Sequence, residues 1–115
     1  MNEFLLLFRN TAGDDGYSIS PEEMQAAMPR WREWIEKIAR DGALVSTQPL
    51  EPKGQTVKPS GVTDGPYVEI KEIVVGYLVC KVESQAQALE YARSCPILVY
   101  EGGSVEVRPL IPFPV

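Results

Sequence analysis

Charged side chains cluster at residues 64–72 and could do acid–base chemistry. Asp64, Glu69 and Glu72 supply three carboxylates within this short stretch. A carboxylate that is partly buried has a raised pKa and can then serve as a general acid or base. Lys71, in the same stretch, could bind an anionic substrate or stabilise an oxyanion. The three carboxylates are therefore the candidate catalytic residues.

Three further side chains join Lys71 as candidates for ligand binding. Arg108 carries a planar guanidinium fork that suits carboxylates. Tyr77 lies in the middle of an apolar strand and could donate a hydrogen bond into a pocket. Trp31 has two interpretations, because a tryptophan at helical spacing is either an anchor of the core or a surface on which a ligand stacks.

The same charged residues also have purely structural explanations. Glu106 and Arg108 are same-face neighbours on one strand, and so are Glu69 and Lys71. Each could therefore belong to a cross-strand ion pair. Asp64 could simply cap its own turn. Both interpretations stay open at the level of the sequence.

Several kinds of chemistry are excluded or disfavoured. The chain has no histidine, so an imidazole cannot shuttle protons. Cys80 and Cys95 lack metal-ligand spacing, and we expect neither a metal nor a cofactor. Cys95 follows a helix C-terminus, where the dipole disfavours a thiolate. We expect both cysteines to be reduced and buried, as in a cytoplasmic protein.

Size and charge restrict the class of protein. A chain of 115 residues fits one domain, 1–115, with a core of its own. The net charge of −5 argues against nucleic acid as a partner, because phosphate binding needs clustered Lys and Arg. No apolar stretch approaches the roughly 20 residues of a membrane span. The N-terminal pattern also predicts no signal peptide.

Two helices are predicted from capping residues and apolar spacing. Ser20 and Glu23 form a capping box before the first helix, and Gly42 is a left-handed C-cap. Pro29 lies inside this helix and predicts a kink. Ser84 begins a second capping box, with Gln87, and the second helix must stop before Pro96.

Strands are predicted where β-branched or alternating residues recur. The turn Asp64–Pro66 leads into an alternating strand at 67–71, which we expect to form a hairpin with 73–82. Pro109 indicates that the last strand leaves the ladder or lies at an edge. The loops are 11–17 and 49–61, with 56–58 as a possible edge strand in the second. The other predicted strands are 4–8, 43–48 and 104–110.

The order strand, helix, strand, hairpin, helix, strand predicts an α+β fold of ferredoxin-like type, with two helices on one face of an antiparallel sheet. Phe4–Phe8 is apolar without alternation, which indicates a strand buried on both faces. One layer of helices covers only one of these faces. We therefore expect a second copy of the chain to cover the other face.

Four motifs lie in order along the chain: Asp64-Gly65-Pro66-Tyr67, Glu69-Ile70-Lys71-Glu72, Gly76-Tyr77 and Val105-Glu106-Val107-Arg108-Pro109-Leu110. Together they resemble the YCII-related family, specifically its DGPF branch. The likeness also extends to the first helix, with its Trp and closing Gly42, and to the end of the second helix at Cys95–Pro96, so it covers almost the whole chain.

The resemblance implies a dimeric α+β barrel of ferredoxin-like subunits, with a pocket near the dimer interface. It also implies a small bacterial, cytosolic protein of undetermined activity, and some members are associated with genes for alternative sigma factors. Other branches carry a histidine in the first helix and an Asp-Pro after the second. This chain has no histidine and has Cys95–Pro96 at the second place, so its chemistry must use other groups.

Three functions from different classes follow. The first is a homodimer that holds a small polar or anionic molecule in an interface pocket. The second is a cofactor-independent enzyme, of the lyase, isomerase or dehalogenase kind, that works through carboxylates. The third is a regulatory adaptor that contacts a transcription-factor partner through an exposed apolar patch.

Overall fold

The computed structural model describes residues 1–13, 16–65 and 72–114. The described residues contain two α-helices, α1 (Pro21–Arg40) and α2 (Gln85–Arg93), and a 3₁₀-helix at Pro96–Val99. They also contain seven strands: β1 (Asn2–Gly13), β2 (Gly16–Tyr17), β3 (Leu44–Pro49), β4 (Gly54–Lys58), β5 (Gly61–Gly65), β6 (Glu72–Val82) and β7 (Ser104–Pro109).

The main sheet has β1 and β6 at its centre, β3 beside β6, and β7 beside β1. The short strand β2 pairs with the far end of β1. Every pairing among the described residues is antiparallel. The chain is thus an α+β protein with a mainly antiparallel sheet. Pro109 ends β7, which pairs with β1 on one side only, as expected for a proline at an edge.

The hydrophobic core lies on one face of the sheet. Alternate residues of β1 point into it, namely Phe4, Leu6 and Phe8, and each is buried. Both helices pack on this face, α1 through Trp34 and Ile38 and α2 through two alanines. This arrangement buries the apolar stripe of each helix.

The other face of the sheet is only partly covered within the protomer. Leu5 and Leu7 point to this face and are half-buried. Within one protomer the strand 4–8 is therefore fully buried on one face only. Its alternation is hidden in the sequence because every side chain in Phe4–Phe8 is apolar. Coverage by a second copy stays a prediction.

The helix starts confirm one capping box and correct the other. The Glu23 N–H donates to Ser20 Oγ at 3.1 Å, and the Glu23 side chain accepts from the Ser20 N–H in return. Ser84 makes no side-chain cap bond. The Gln87 side chain instead accepts from the N–H of Glu83, at 2.7 Å. The second capping box was therefore wrong by one residue, because the glutamine reaches past the N-cap.

The excursion before β6 also differs from the prediction. Asp64 and Gly65 belong to β5, which pairs with β4 in a ribbon of its own, rather than forming a turn. The β-branched pairs Thr56–Thr63 and Val57–Val62 favour this pairing. The chain reverses earlier, before Gly61, whose φ of +135° suits glycine. The predicted strand 67–71, with Glu69 and Lys71, lies outside the described residues.

The predicted polar loop 11–17 is partly strand. β1 continues to Gly13 and pairs with β2, so that Ala12 lies opposite Tyr17. Leu44–Pro49 corresponds to the predicted strand 43–48, shifted by one residue. Ile97, in a stretch that the sequence left ambiguous, lies in the 3₁₀-helix and is buried.

Candidate functional site

A β-bulge in β6 lies at the edge of the candidate site. Phe8 of β1 faces Gly76, but its neighbour Arg9 faces Val74, so Val75 has no partner in β1. The Val75 carbonyl accepts a hydrogen bond from the Leu50 N–H instead, at 2.9 Å. Bulges of this kind bend a strand and often lie beside functional sites.

Gly76 follows the bulge at a place that is too narrow for a larger residue. A Cβ atom there would lie 3.0 Å from the carbonyl oxygen of Gln48 and 3.3 Å from the Phe8 ring. Such a contact is tight, so an alanine would push β3 or Phe8 away. Glycine thus allows β3 and the Phe8 ring to approach the floor of the site closely.

A pocket of about 250 Å³ lies between α1 and the helix-covered face of the sheet, next to this bulge. Its walls are mostly apolar: Phe8, Met28, Trp31, Ile35, Val75 and Ile97 are representative. Among the described residues that line it, none carries a charge. A pocket of this size and composition fits part or all of a small organic molecule.

Trp31 forms one wall of the pocket and is half-buried. Its ring lies 5.2 Å from the Phe8 ring and 5.8 Å from the Trp34 ring, measured between centroids. Trp34 is fixed by a hydrogen bond from its Nε1 to the Tyr91 carbonyl, at 3.0 Å. Trp31 therefore packs on the core with one part of its ring and lines the pocket with another, so the two interpretations of its role are compatible.

Asn10 places a polar group inside this apolar site. It is only 4% exposed, and it is the one buried polar side chain among the described residues. Its Oδ1 accepts a hydrogen bond from the Thr11 N–H at 2.8 Å. Within the described part of the chain, Nδ2 has no partner, although no fully enclosed side-chain nitrogen or oxygen lacks one. Asn10 lines the pocket, and no described residue accepts a hydrogen bond from its Nδ2.

Asn10 is not among the site residues predicted from the sequence, because it lies beyond the predicted strand 4–8. The signal was its position: Asn10 continues the spacing of Phe4, Leu6 and Phe8, which all point into the core. A polar residue at an expected core position is either hydrogen-bonded or functional.

The structure does not bring Asp64 or Glu72, two of the three predicted catalytic carboxylates, into this pocket. Asp64 lies in β5 and Glu72 begins β6; both are exposed, and neither lines the pocket. Glu72 is next to the pocket in the sheet, because it pairs with Thr11, which lines the pocket. Glu69 and Lys71 lie outside the described residues.

Tyr77 and Arg108 lie on the opposite face of the sheet from the pocket. Tyr77 pairs with Leu7, and its hydroxyl forms a hydrogen bond with Ser46 Oγ at 3.0 Å. Arg108 Nε is 3.8 Å from Glu106, which also accepts from Arg9 at 2.5 Å. The ion-pair explanation of Glu106 and Arg108 therefore fits the geometry.

The cysteines are placed as expected and are poor nucleophiles. Cys80 and Cys95 are free and buried. Burial raises the pKa of the Cys80 thiol and raises the pKa of Cys95 to about 12. Both thiols are therefore protonated at neutral pH. The described residues contain no group of three or more Cys, Asp and Glu side chains that could hold a metal ion.

Two other groups with shifted pKa values lie away from the pocket: Asp41, directly after α1, and Tyr91, in α2. The Tyr91 hydroxyl donates to Asp41 Oδ2 at 2.7 Å, and Lys37 Nζ donates to the same oxygen at 3.1 Å. These hydrogen bonds lower the pKa of Asp41. Burial, followed by the bond to Asp41, raises the pKa of Tyr91 to about 12. The network ties α1 to α2 and needs no catalytic explanation.

Within the described residues, no helix is both long enough and apolar enough to cross a membrane. No curated protein matches the chain. The model of the YCII-related domain matches residues 4–114, which include both helices and all of the main sheet except the first two residues of β1. The chain therefore belongs to the YCII-related domain family.

Proposed function

We propose that this protein binds a small, neutral and largely apolar molecule in the pocket beside the β6 bulge. The observation that carries the proposal is Asn10, a buried residue in the lining of a mostly apolar cavity, whose Nδ2 donates to no described residue. A ligand carbonyl or hydroxyl accepts this hydrogen bond, while its apolar part contacts Trp31 and Met28. In a mostly apolar pocket, a small number of polar groups fixes the orientation of the ligand.

The charge of the pocket argues for a neutral ligand rather than the polar or anionic one that the sequence suggested. Lys71 lies outside the described residues, and Arg108 lies on the other face of the sheet. No described side chain in the lining could neutralise a carboxylate. Burying an unpaired charge in such a site costs far more than burying a hydrogen-bonded neutral group.

We also propose that the protein is a homodimer in which two sheets pack face to face. The strand order β7-β1-β6-β3, with α1 after β1 and α2 after β6, is consistent with a ferredoxin-like subunit. The open face carries Leu5, Leu7 and Val79, which are only half-buried in the protomer. A dimeric barrel would cover them. The DGPF branch, a bacterial source, a cytoplasmic location, the carboxylate enzyme and the transcription-factor adaptor stay predictions.

Three matched probes test the ligand class: 2-naphthamide, 2-naphthoate and 2-naphthylmethylamine, which share one aromatic group and differ in charge. Titrations followed by ¹H–¹⁵N NMR should show the tightest binding for the neutral amide, with shifts at Asn10 and Trp31. Asn10→Leu should raise the Kd of 2-naphthamide by about fivefold to tenfold, the effect of one lost hydrogen bond. Leu6→Val, on the same strand but outside the pocket, is the control. Tighter binding of the naphthoate would overturn the proposal.

Analytical ultracentrifugation tests the dimer separately. Leu7→Arg places a charge on the open face and should give a monomer. Ala39→Arg, on the exposed surface of α1, should leave the mass unchanged. A wild-type protein that sediments as a monomer at all concentrations would refute the dimer and leave the pocket proposal intact.

A further inference from the structure

A second groove lies between α1 and the segment that follows α2, and it differs in charge from the rest of the protein. Its volume is about 520 Å³. Four of its lining side chains are cationic, Arg30, Lys37, Arg40 and Arg93, whereas only Glu33 is anionic. The chain as a whole carries a net charge of −5. Positive charge is thus concentrated in this groove, which we call the α1–α2 groove.

Two of the four cations form no ion pair with a described residue. Lys37 pairs with Asp41, and Arg93 pairs with Glu90. Arg30 and Arg40 form no ion pair within the described part of the chain. Their guanidinium groups are therefore available to carboxylates of another molecule, which they can bind in a bidentate manner.

The opposite wall of the groove is apolar and exposed. Leu98 and Val99 of the 3₁₀-helix are 44% and 58% exposed, and both line the groove. Arg30 and Arg40 lie ten residues apart on α1, a distance of about 15 Å along its axis. An extended peptide of about five residues covers the same length. Its alternating side chains would face the two walls in turn.

We propose that the α1–α2 groove binds an extended acidic segment of a partner protein. Its carboxylates contact Arg30 and Arg40, and its apolar side chains contact Leu98 and Val99. Exposed apolar side chains beside the cations favour a peptide over nucleic acid, whose backbone offers no apolar groups at this spacing. The negative charge of the whole molecule also repels a long polyanion.

A labelled peptide of ten residues, in which Glu and Leu alternate, tests this proposal by fluorescence anisotropy at low salt. We expect the double variant Arg30→Gln/Arg40→Gln to raise the Kd about tenfold, because each exposed ion pair contributes up to about a fivefold factor. Leu98→Ser/Val99→Ser should raise it about fivefold. NMR shifts should map to residues 30–40 and 96–99.

Arg32→Gln is the matched control, because Arg32 lies on the same helix but not in the groove. It should change the Kd less than twofold. A peptide with Lys in place of Glu should not bind, and binding of the acidic peptide should weaken as salt is raised. Equal losses in Arg32→Gln and in the groove variant would overturn the proposal. So would absence of peptide binding at millimolar concentration, or tighter binding of a single-stranded oligonucleotide.

Discussion

Replacing Asn10 by Leu should leave the protein about as stable as the wild type while it removes the hydrogen-bond donor of the pocket. The variant loses one hydrogen bond, from the Thr11 N–H to Oδ1 at 2.8 Å, which is worth about 0.5–1.5 kcal/mol. It also removes an amide nitrogen that no described residue accepts from, and it adds an apolar side chain whose burial is favourable. We expect the free energy of unfolding to change by less than about 1 kcal/mol.

Urea denaturation of the ligand-free protein, followed by tryptophan fluorescence, measures this change. Leu6→Ala is the reference, because Leu6 is fully buried on the same face of β1 and its truncation should cost about 2–5 kcal/mol. If the Asn10 amide serves to bind a ligand and not to stabilise the fold, its replacement changes the free energy of unfolding little. A loss of more than about 2 kcal/mol in Asn10→Leu would show that the amide holds the structure together, and it would refute the functional interpretation.

Three other perturbations test different parts of the structure. Ser20→Ala should lower the free energy of unfolding by about 1 kcal/mol, and Ser84→Ala by only a few tenths of a kcal/mol. The reason is that the Ser20 side chain caps its helix and the Ser84 side chain does not. Chemical denaturation of the two variants measures the difference. The pKa of Cys95 rises from 9.0 to about 12 on folding, so the thiol of the unfolded state loses its proton at a lower pH than the thiol of the folded state. The free energy of unfolding should therefore fall from pH 9 to 12, by up to about 1.4 kcal/mol per pH unit. The fall should be less steep in Cys95→Ala. Glu106→Gln should change stability by less than about 1 kcal/mol, because the Arg9–Glu106 ion pair is 29% and 43% exposed; a larger loss in thermal unfolding would contradict this.

Much of the fold could be predicted because its signals are local. Ser20, Glu23 and Gly42 fix the ends of α1 through backbone hydrogen bonds and a left-handed φ of +75°, and these depend on neighbouring residues alone. The error at Ser84 shows the limit of this approach. Its capping pattern is present, but the Gln87 side chain accepts from the N–H of Glu83, one residue before the N-cap.

The ribbon of β4 and β5 was predicted only in part, as a possible edge strand at 56–58, for a different reason. Strand pairing depends on which segments meet, and the sequence offered Asp64–Pro66 as an equally good turn. Two β-branched cross-strand pairs and Gly61 favour the earlier reversal. Asp64 and Gly65, which the sequence predicts as the start of a turn, therefore lie in a strand instead.

The position of the pocket could not be derived from periodicity, because the bulge changes which side chains share a face. Ile73 and Leu78 are five residues apart and would point to opposite faces of a regular strand, yet both are buried in the core. The unpaired Val75 restores them to one face and leaves Gly76 at the floor of the pocket. The candidate site therefore arises where the alternation fails, and an odd spacing between two core residues around a glycine is the sequence signal that points to it.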